Sequence, residues 1–411
     1  MRILLPMGRS GTRRTTVEEN DARVLDAVVK VLDRFGVDGL TARRVADAAG
    51  FTTGAVYGRF ENTDEMMVEV WLRRLRPFVR AGLWRSIDMA EGSPEAERLE
   101  IPQEYDAVAE RLGAFFIAVS PRNEVLAEVV LPEVDQWFHE LGLGPECPMA
   151  QRAHRSVAIA AYIGAMLSGA IDDRLAPDWV RCLRWWEASR RLPSRISEAA
   201  VPTSLPLHAD VVDDELGALL GATADVIAHA GVSKTTITRI ARRAGLPRSA
   251  LYTYFDSRDE LIAAAVTYSA WGTASDSRRT IVSSGPHSLA HAAHMYLDPA
   301  NRWFRRRRVE FYLAGVSDAR IAQAVVERER SLIDSVLGEQ RLRSPMAREA
   351  MADVLRFVGI LATGAFLLPE TSRVFAGIDW RFGLSPLMGA ALSEIADLER
   401  DASSGLDSAA S

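Results

Sequence analysis

Apolar residues near the start of the chain recur with the spacing of one helical face. They are Val24, Val28, Val31, Leu32 and Phe35. This spacing, i, i+4, i+7, i+8 and i+11, is typical of an amphipathic helix whose apolar side packs against a core. Glycines follow at positions 36 and 39, where the helix is expected to end.

Two short helices are predicted after this first helix. Thr41 can cap a helix that Gly50 ends, and either Thr52 or Thr53 can cap the next one. The apolar residues of the two helices are Val45, Ala46 and Ala49 in one and Ala55, Val56, Tyr57 and Phe60 in the other. Two short helices joined by a turn that contains glycine form a helix-turn-helix. The second helix of such a motif can enter the major groove of DNA.

The whole pattern returns 195 residues later without a gap. Over residues 36–65 this offset aligns 12 identical residues, where background residue frequencies give about two by chance. The aligned identities include the capping threonines Thr41 and Thr236 and the turn glycines Gly50 and Gly245. Residues 162–171 also align with residues 357–366. The duplication therefore covers the whole unit, and a repeat of this kind determines the fold assignment.

The repeat and the helical patterns predict an all-α protein made of two similar units. The first has a three-helix reading head over residues 20–66 and a helical regulatory half over residues 67–190. The second has its reading head over 213–261 and its regulatory half over 262–397. We expect a flexible basic arm over 1–19, a proline-containing linker over 191–212 and a disordered tail over 398–411.

Composition is that of a globular protein, with 48% hydrophobic and 25% charged residues. The two cysteines show neither a disulfide framework nor metal-ligand spacing. We see no apolar run near the roughly 20 residues of a membrane helix and expect a cytoplasmic protein. The net charge is −6, but residues 236–255 hold four arginines and no acid, and local positive charge is what DNA binding requires.

Residues 235–261 resemble the DNA-binding segment of the TetR family of bacterial regulators. The shared features are the capping Thr236, the pair Ile240-Ala241, the turn Ala244-Gly245 and the ending Leu251-Tyr-Thr-Tyr-Phe255. Residues 40–66 are similar, but Arg59 replaces the second tyrosine, Glu61 and Thr63 replace the usual basic residues, and Met66 replaces leucine. These changes concern phosphate contact by the first reading head more than its fold.

The resemblance implies a set of DNA contacts in each reading head. Tyr57 and Tyr252 correspond to phosphate contacts. The residues that approach base edges are Thr52, Thr53 and Gly54 in the first head and Pro247, Arg248 and Ser249 in the second. Arg43 and Thr238 correspond to residues of the preceding helix at the groove. Further predicted DNA contacts are Arg44, Arg59, Arg239 and Tyr254.

The resemblance also implies an operator on double-stranded DNA, an interface of four helices and an apolar effector pocket. Because one chain holds both units, we expect an intramolecular pseudo-dimer and a monomeric chain. Alanines and glycines in 162–171 and 357–366 suit close helix packing. Candidate residues for a pocket that takes a small apolar effector, which core packing would also explain, are Phe115, Phe116, Trp137, Tyr162, Met166, Phe311, Tyr312 and Phe357.

Other readings of the sequence remain. Four consecutive arginines, 305–308, are expected on a solvated face or paired with acids. No catalytic motif is present, so we expect a ligand-responsive repressor without cofactor or metal rather than an enzyme. One alternative is a regulator in which the first head, with its acidic Glu61, contacts protein instead of DNA. Another is an enzyme or carrier that uses an apolar helical pocket.

Overall fold

A computed structural model describes residues 10–92, 106–192, 214–268, 287–340 and 342–409, and every regular element in these ranges is helical. The first copy contains helices α1 to α9. Their bounds are Ser10–Phe35 (α1), Ala42–Ala49 (α2), Thr53–Tyr57 (α3), Thr63–Val70 (α4), Arg76–Glu91 (α5), Ala107–Val119 (α6), Glu124–Glu140 (α7), Met149–Gly169 (α8) and Trp179–Ser189 (α9). A π-helical turn, Trp71–Leu75, joins α4 to α5.

The second copy follows a similar order of elements. Its helices are Glu215–Ala230 (α10), Ile237–Ala244 (α11), Arg248–Tyr254 (α12), 258–268 (α13), Ser288–Leu297 (α14), Arg302–Gly315 (α15), Ala319–Glu339 (α16), Pro345–Ala365 (α17), Leu368–Thr371 (α18) and Arg381–Ala409 (α19). Residues 271–286, which align with α5, lie outside the described residues, as do residues 93–102, which align with α14. The predicted all-α, two-unit architecture is confirmed. Helix α18 aligns with a 3₁₀ turn of the first copy, Asp173–Leu175, and the offset of 195 residues is lost after it, since α9 begins at Trp179 and α19 at Arg381.

The two copies meet through helices α8, α9, α17 and α19. The most extensive packing is between α8 and α17, and α19 packs against both α8 and α9. Gly164 and Gly364 lie at the crossing of α8 and α17. A Cβ atom on Gly164 would collide with the carbonyl oxygen of Ile360, and one on Gly364 would collide with that of Ala160. These two glycines therefore allow the helix backbones to touch, as expected from the small residues in this segment.

Both ends of the described chain differ from the predictions made for them. Helix α1 begins at Ser10, so residues 10–19 are helical where a flexible arm was predicted. Helix α19 continues to Ala409, so most of the predicted disordered tail is helical as well. Neither stretch contains a proline that would stop the helix beside it. Residues 1–9 and almost all of the predicted linker, from 193, lie outside the described residues.

The run of four arginines is not a solvated face. Arg305 and Arg306 are only 3% and 4% exposed. Arg305 donates to the carbonyl oxygens of Tyr296 and Asp298, and Arg306 pairs with Glu310 at 3.2 Å. Arg308 pairs with Glu329 at 3.1 Å. The expected alternative, pairing with neighbouring acids, is therefore correct for two of the four, because buried charges require partners.

One stretch of the described chain is long and apolar enough to cross a membrane by length and composition. It spans Pro345–Thr371, has a mean hydropathy of 1.8, and 78% of its apolar window is buried inside the protein. The sequence-based expectation that no such segment exists was too strict. A mostly buried helix at the copy interface passes the same test as a membrane helix, because both need a long apolar surface.

Candidate nucleic-acid interface

The first helix-turn-helix is formed by local hydrogen bonds that its sequence specifies. The Thr41 hydroxyl accepts from the Arg44 backbone N–H at 3.3 Å and so caps α2. Gly50 ends α2 with a φ of 71°, a left-handed conformation that favours glycine. The Thr52 hydroxyl then accepts from the backbone N–H of Ala55 at 3.2 Å. Of the two candidate caps for α3, Thr52 is therefore the cap, and Thr53 is the first helical residue.

The second helix-turn-helix repeats this geometry with one different cap. The Thr236 hydroxyl accepts from the Arg239 backbone N–H at 3.3 Å, and Gly245 ends α11 with a φ of 72°. Pro247 stands at the N-cap of α12 and makes no side-chain cap bond. Arg248 is therefore the first residue of α12, at the same place as Thr53 in α3. The two reading heads present different side chains on nearly the same backbone.

The predicted base-contacting residues lie on the surface of both heads. Thr52, Thr53 and Gly54 are exposed, as are Pro247, Arg248 and Ser249. The residues that hold the helices in place lie on the opposite side, where Val56 and Leu251 are fully buried. Each short helix therefore has one face in the core of its head and the other free for DNA. The Thr52 hydroxyl is occupied as an acceptor by its capping bond but keeps its own proton to donate.

Tyrosine side chains are exposed at matching places in the two heads. Tyr57 is 56% exposed and Tyr252 is 57% exposed, and Tyr254 is also exposed. Large aromatic side chains usually bury more of their surface than this. Their position at the ends of α3 and α12 suits a hydroxyl that donates to a phosphate oxygen.

Three of the predicted DNA-binding arginines are held by the protein itself. Arg44 donates to the carbonyl oxygen of Gly39 at 2.5 Å, and its counterpart Arg239 donates to that of Lys234 at 2.8 Å. Arg59 donates to Asp21 at 2.8 Å and to the carbonyl oxygen of Ala55 at 2.9 Å. Arg44 and Arg239 therefore stabilise the loop before the helix-turn-helix, and Arg59 joins α3 to α1.

Other basic side chains are available to DNA. Arg43 and Arg242 are exposed on the first helix of their motifs, as is the polar residue Thr238. No hydrogen bond or ion pair is recorded for the side chains of Arg43, Arg242 and Arg248 within the described part of the chain. Arg243, by contrast, pairs with Asp225 at 3.0 Å. The helix-turn-helix of the second head thus presents two unpaired arginines, Arg242 and Arg248, whereas that of the first presents one, Arg43.

Arg122, which sequence reasoning did not single out, connects both heads to both regulatory halves. It follows α6 and pairs with Asp38 of the first head at 3.1 Å and with Glu310 of the second copy at 2.8 Å. Its guanidinium also lies against Gly231 of the second head, where a Cβ would be 3.0 Å from Arg122 Cζ. Burial alone would lower the pKa of Arg122. The carboxylates of Glu310 and Asp38 together have the larger effect, so the pKa lies above its ordinary value. The counterpart, Ser317, lies beside Gly36, so no repeat signal marked this residue.

The predicted effector-pocket residues divide between cavity walls and core. Tyr162, Met166 and Phe357 line a cavity of about 540 Å³ in the first copy, which we call the first cavity. Phe311 lines a cavity of about 110 Å³ in the second copy, the second cavity. The others line neither of these two and are buried: Phe115, Phe116, Trp137 and Tyr312.

Stacking holds Phe116 and Trp137 in the core, whereas Tyr312 is buried beside an ion pair and also lines a third cavity of about 340 Å³. Trp71, at the π-helical turn, stacks on Phe116 and Trp137 with ring centroids 6.4 and 5.9 Å apart. The Tyr312 hydroxyl lies beside the pair formed by Arg308 and Glu329 and donates to Glu329 at 3.3 Å. Burial alone raises the pKa of Glu329, but Arg308 and Arg328 lower it to about 2. Sequence spacing gave no means of separating these residues from those that line a cavity.

Comparison with known proteins agrees with this geometry. The family described as bacterial regulatory proteins, tetR family, matches residues 24–70 and again residues 219–265. Two curated relatives carry the name "Probable acrEF/envCD operon repressor", one from Escherichia coli (strain K12) and one from Escherichia coli O157:H7. Each is 27% identical over 142 residues, which is 33% of this chain and 62% of the relative's length. The family description and the names of both relatives are those of regulatory proteins.

Proposed function

We propose that the chain, in which each copy contains a segment matched by the tetR family, is a sequence-specific, DNA-binding transcriptional repressor that works as a single-chain pseudo-dimer. The observation that carries this proposal is the pair of exposed recognition helices, α3 and α12, on equivalent backbones. The interface of α8, α9, α17 and α19 lies within one chain, whereas in a homodimer an interface of four helices would form between two chains. A cytoplasmic location is part of the proposal.

The operator follows from the side chains of the two recognition helices. Thr53 and Arg248 occupy the same place, and their hydrogen-bonding capacities differ. An arginine can bridge the O6 and N7 atoms of guanine, while a threonine offers one hydroxyl and a methyl group. We therefore propose an imperfect palindrome whose two half-sites differ in sequence, with a guanine beneath the second head.

Oligomeric state provides a first test. The two copies cover each other's interface, and an intramolecular partner has a high effective concentration. The chain of 45.2 kDa is therefore proposed to be a monomer in solution. Light scattering at nanomolar concentration should give this mass, and an obligate dimer would contradict the single-chain arrangement.

DNA selection provides the main test. Fragments bound by the full chain from a random pool should contain two different half-sites at a fixed spacing. Tyr57→Phe and Tyr252→Phe, each made alone, should both weaken binding to the selected sequence. If only Tyr252→Phe weakens it and a single half-site is recovered, the first head is not a DNA reader.

The alternative for the first head has specific observations in its favour. Arg59 is held by Asp21 and is not free to reach a phosphate, and Glu61 adds negative charge beside α3. A first head that contacts protein instead of DNA is therefore the second candidate. The selection experiment distinguishes the two, since a protein-contacting head leaves no second half-site.

Response to a small effector is the last part of the proposal. The first cavity lies among α5, α6, α8 and α9 and is completed by Phe357 from the second copy. A ligand there would contact both copies and could change their relative position. Such a ligand must bind the DNA-free arrangement more tightly than the DNA-bound one, since only differential affinity shifts an equilibrium.

A further inference from the structure

The first cavity combines apolar and aromatic walls with a buried carboxylate. At about 540 Å³ it falls within the size range of small-molecule sites. Most of its surface is apolar and aromatic, with one buried carboxylate, Glu110, among the lining residues. Cys182 also lines it, and burial raises the pKa of this thiol, so the thiol stays neutral. Glu110 is the one acidic side chain among the described lining residues, and Arg85, which pairs with it at 2.6 Å, is the one arginine.

Glu110 is held by one of its two carboxylate oxygens. Oε1 accepts from Arg85 at 2.6 Å and from the Tyr162 hydroxyl at 2.9 Å. Oε2 is buried and has no hydrogen-bond partner among the residues that the structure describes. The side chain as a whole is 2% exposed. A buried acceptor without a partner is costly, so a ligand that donates to Oε2 is favoured over one that does not.

Aromatic rings line the same cavity as this carboxylate. Phe357 lies edge-on to Trp179 and Trp186, with ring centroids 6.3 and 6.1 Å apart. Tyr162 adds a fourth ring to the walls. Aromatic faces attract cations, and more strongly where water is excluded. The rings and the free oxygen of Glu110 therefore favour the same kind of ligand.

We propose that the first cavity binds an arylalkylamine, an aromatic ring that carries an aliphatic ammonium group, whose protonated nitrogen donates a hydrogen bond to Glu110 Oε2. Its ring packs among Trp179, Trp186 and Phe357. The inference rests on the proposed function only in that this ligand acts as the effector. Binding of the amine itself does not depend on DNA.

The second cavity is unsuited to the same ligand. The residue that aligns with Glu110 is Arg305, and the lining includes Arg307, Arg308 and Arg328 with Glu329 as the acid. The Nε atom of Arg307 is buried without a partner among the described residues. A cation is repelled by this excess of positive charge. The amine should therefore bind once per chain, although the chain contains two related units.

The test is a calorimetric titration of the full chain with three compounds that share one ring system. Naphthylmethylamine, naphthalenemethanol and naphthoate carry an ammonium, a hydroxyl and a carboxylate. The amine should bind tightest with a stoichiometry of one, the alcohol about tenfold weaker or more, and the carboxylate weakest. Glu110→Gln should weaken the amine about tenfold or more and leave the alcohol nearly unchanged. Arg307→Gln, in the second cavity, is the matched control and should change nothing.

A second variant covers the case in which Glu110→Gln does not fold. Ala165→Phe fills the first cavity from a half-buried position and should abolish binding of the amine and the alcohol alike, with thermal unfolding as the check of folding. Equal affinity for the amine and the carboxylate overturns the proposal, as does amine binding that survives both variants. No amine binding up to about 1 mM also overturns it. Operator affinity measured without ligand separates this failure from a failure of the proposed function.

Discussion

The first reading head and the second have the same helix-turn-helix geometry but different attachments to the rest of the protein. In the first, the buried residues Val45, Val56 and Phe60 belong to the main core, which continues through α4 into the regulatory half. In the second, Ile240, Leu251 and neighbouring apolar residues form a separate small cluster. A duplicated sequence has thus produced one head that is continuous with the core and one with a small core of its own.

The two heads also differ in which of their arginines are held by the protein and which are left for DNA. The first holds Arg59 against Asp21, and Arg23 donates to the carbonyl oxygen of Ala49 at 3.1 Å. At the positions of Asp21, Arg23 and Arg59 the second head has Leu216, Ala218 and Tyr254. The second head therefore has uncharged residues where the first has arginines that stabilise it, and its own Arg242 and Arg248 are left for DNA. The two copies therefore differ both in how the reading head is attached to the core and in how much positive charge the head offers to DNA.

The largest expected effect comes from the residue that links the heads. Arg122→Ala removes the partner of Asp38 and leaves Glu310, which is 1% exposed, with Arg306 alone. Removing one member of a buried ion pair costs about 3–5 kcal/mol. Urea unfolding should show a loss near that size, and operator affinity should fall as well. The counterpart Ser317→Ala should cost less than about 0.5 kcal/mol, and equal losses would contradict the asymmetry.

Hydrogen exchange should separate the heads next. A head with a small separate core can open without unfolding the rest of the protein. Amides of α11 and α12 should therefore exchange through openings about 2 kcal/mol or more easier than those of α2 and α3. Leu251→Ala should increase exchange in the second head alone, whereas Val56→Ala should affect the regulatory half too. Equal protection of the two heads would show that the small cluster does not act independently.

Base readout should differ between the matched positions Thr53 and Arg248. Arg248→Ala should cost about 1–3 kcal/mol in operator affinity and relax the preference for guanine at one base pair. Thr53→Ala should cost about 1 kcal/mol or less, since a single hydroxyl is lost. Affinities on a panel of single-base operator variants provide the measurement. A uniform loss across the panel for Arg248→Ala would indicate a phosphate contact instead.

The smallest effect concerns salt dependence. Arg242 is exposed and unpaired, while Arg59 is held by Asp21. If Arg242 neutralises one phosphate, Arg242→Gln should reduce the slope of log affinity against log salt by about 0.9. Arg59→Gln should leave that slope nearly unchanged and lower stability instead. Identical changes in slope would show that the Asp21 contact does not keep Arg59 from the DNA.

Much of the reading heads was predictable from the sequence because their signals are local. Thr41, Gly50, Thr236 and Gly245 act within one helical turn of their position, as cap or as left-handed terminus. The residues of α3 and α12 expected to reach DNA were implied by the resemblance to the TetR family rather than by local spacing. The roles of Arg44 and Arg239 were not predictable, because a sequence shows a positive charge but not whether a loop carbonyl already binds it.

The sequence by itself determined the all-α fold, the duplication and the two helix-turn-helix motifs, since caps, glycines and apolar spacing depend on residues near one another in the chain. Only the tertiary structure decided that Arg305 and Arg306 are buried, that Arg122 joins both heads, and that Glu110 lines a cavity completed by Phe357. Each of these depends on residues that are far apart in the chain and meet only when the two copies pack together. Burial and pairing determine what a charged side chain does, and neither can be read from its place in the chain.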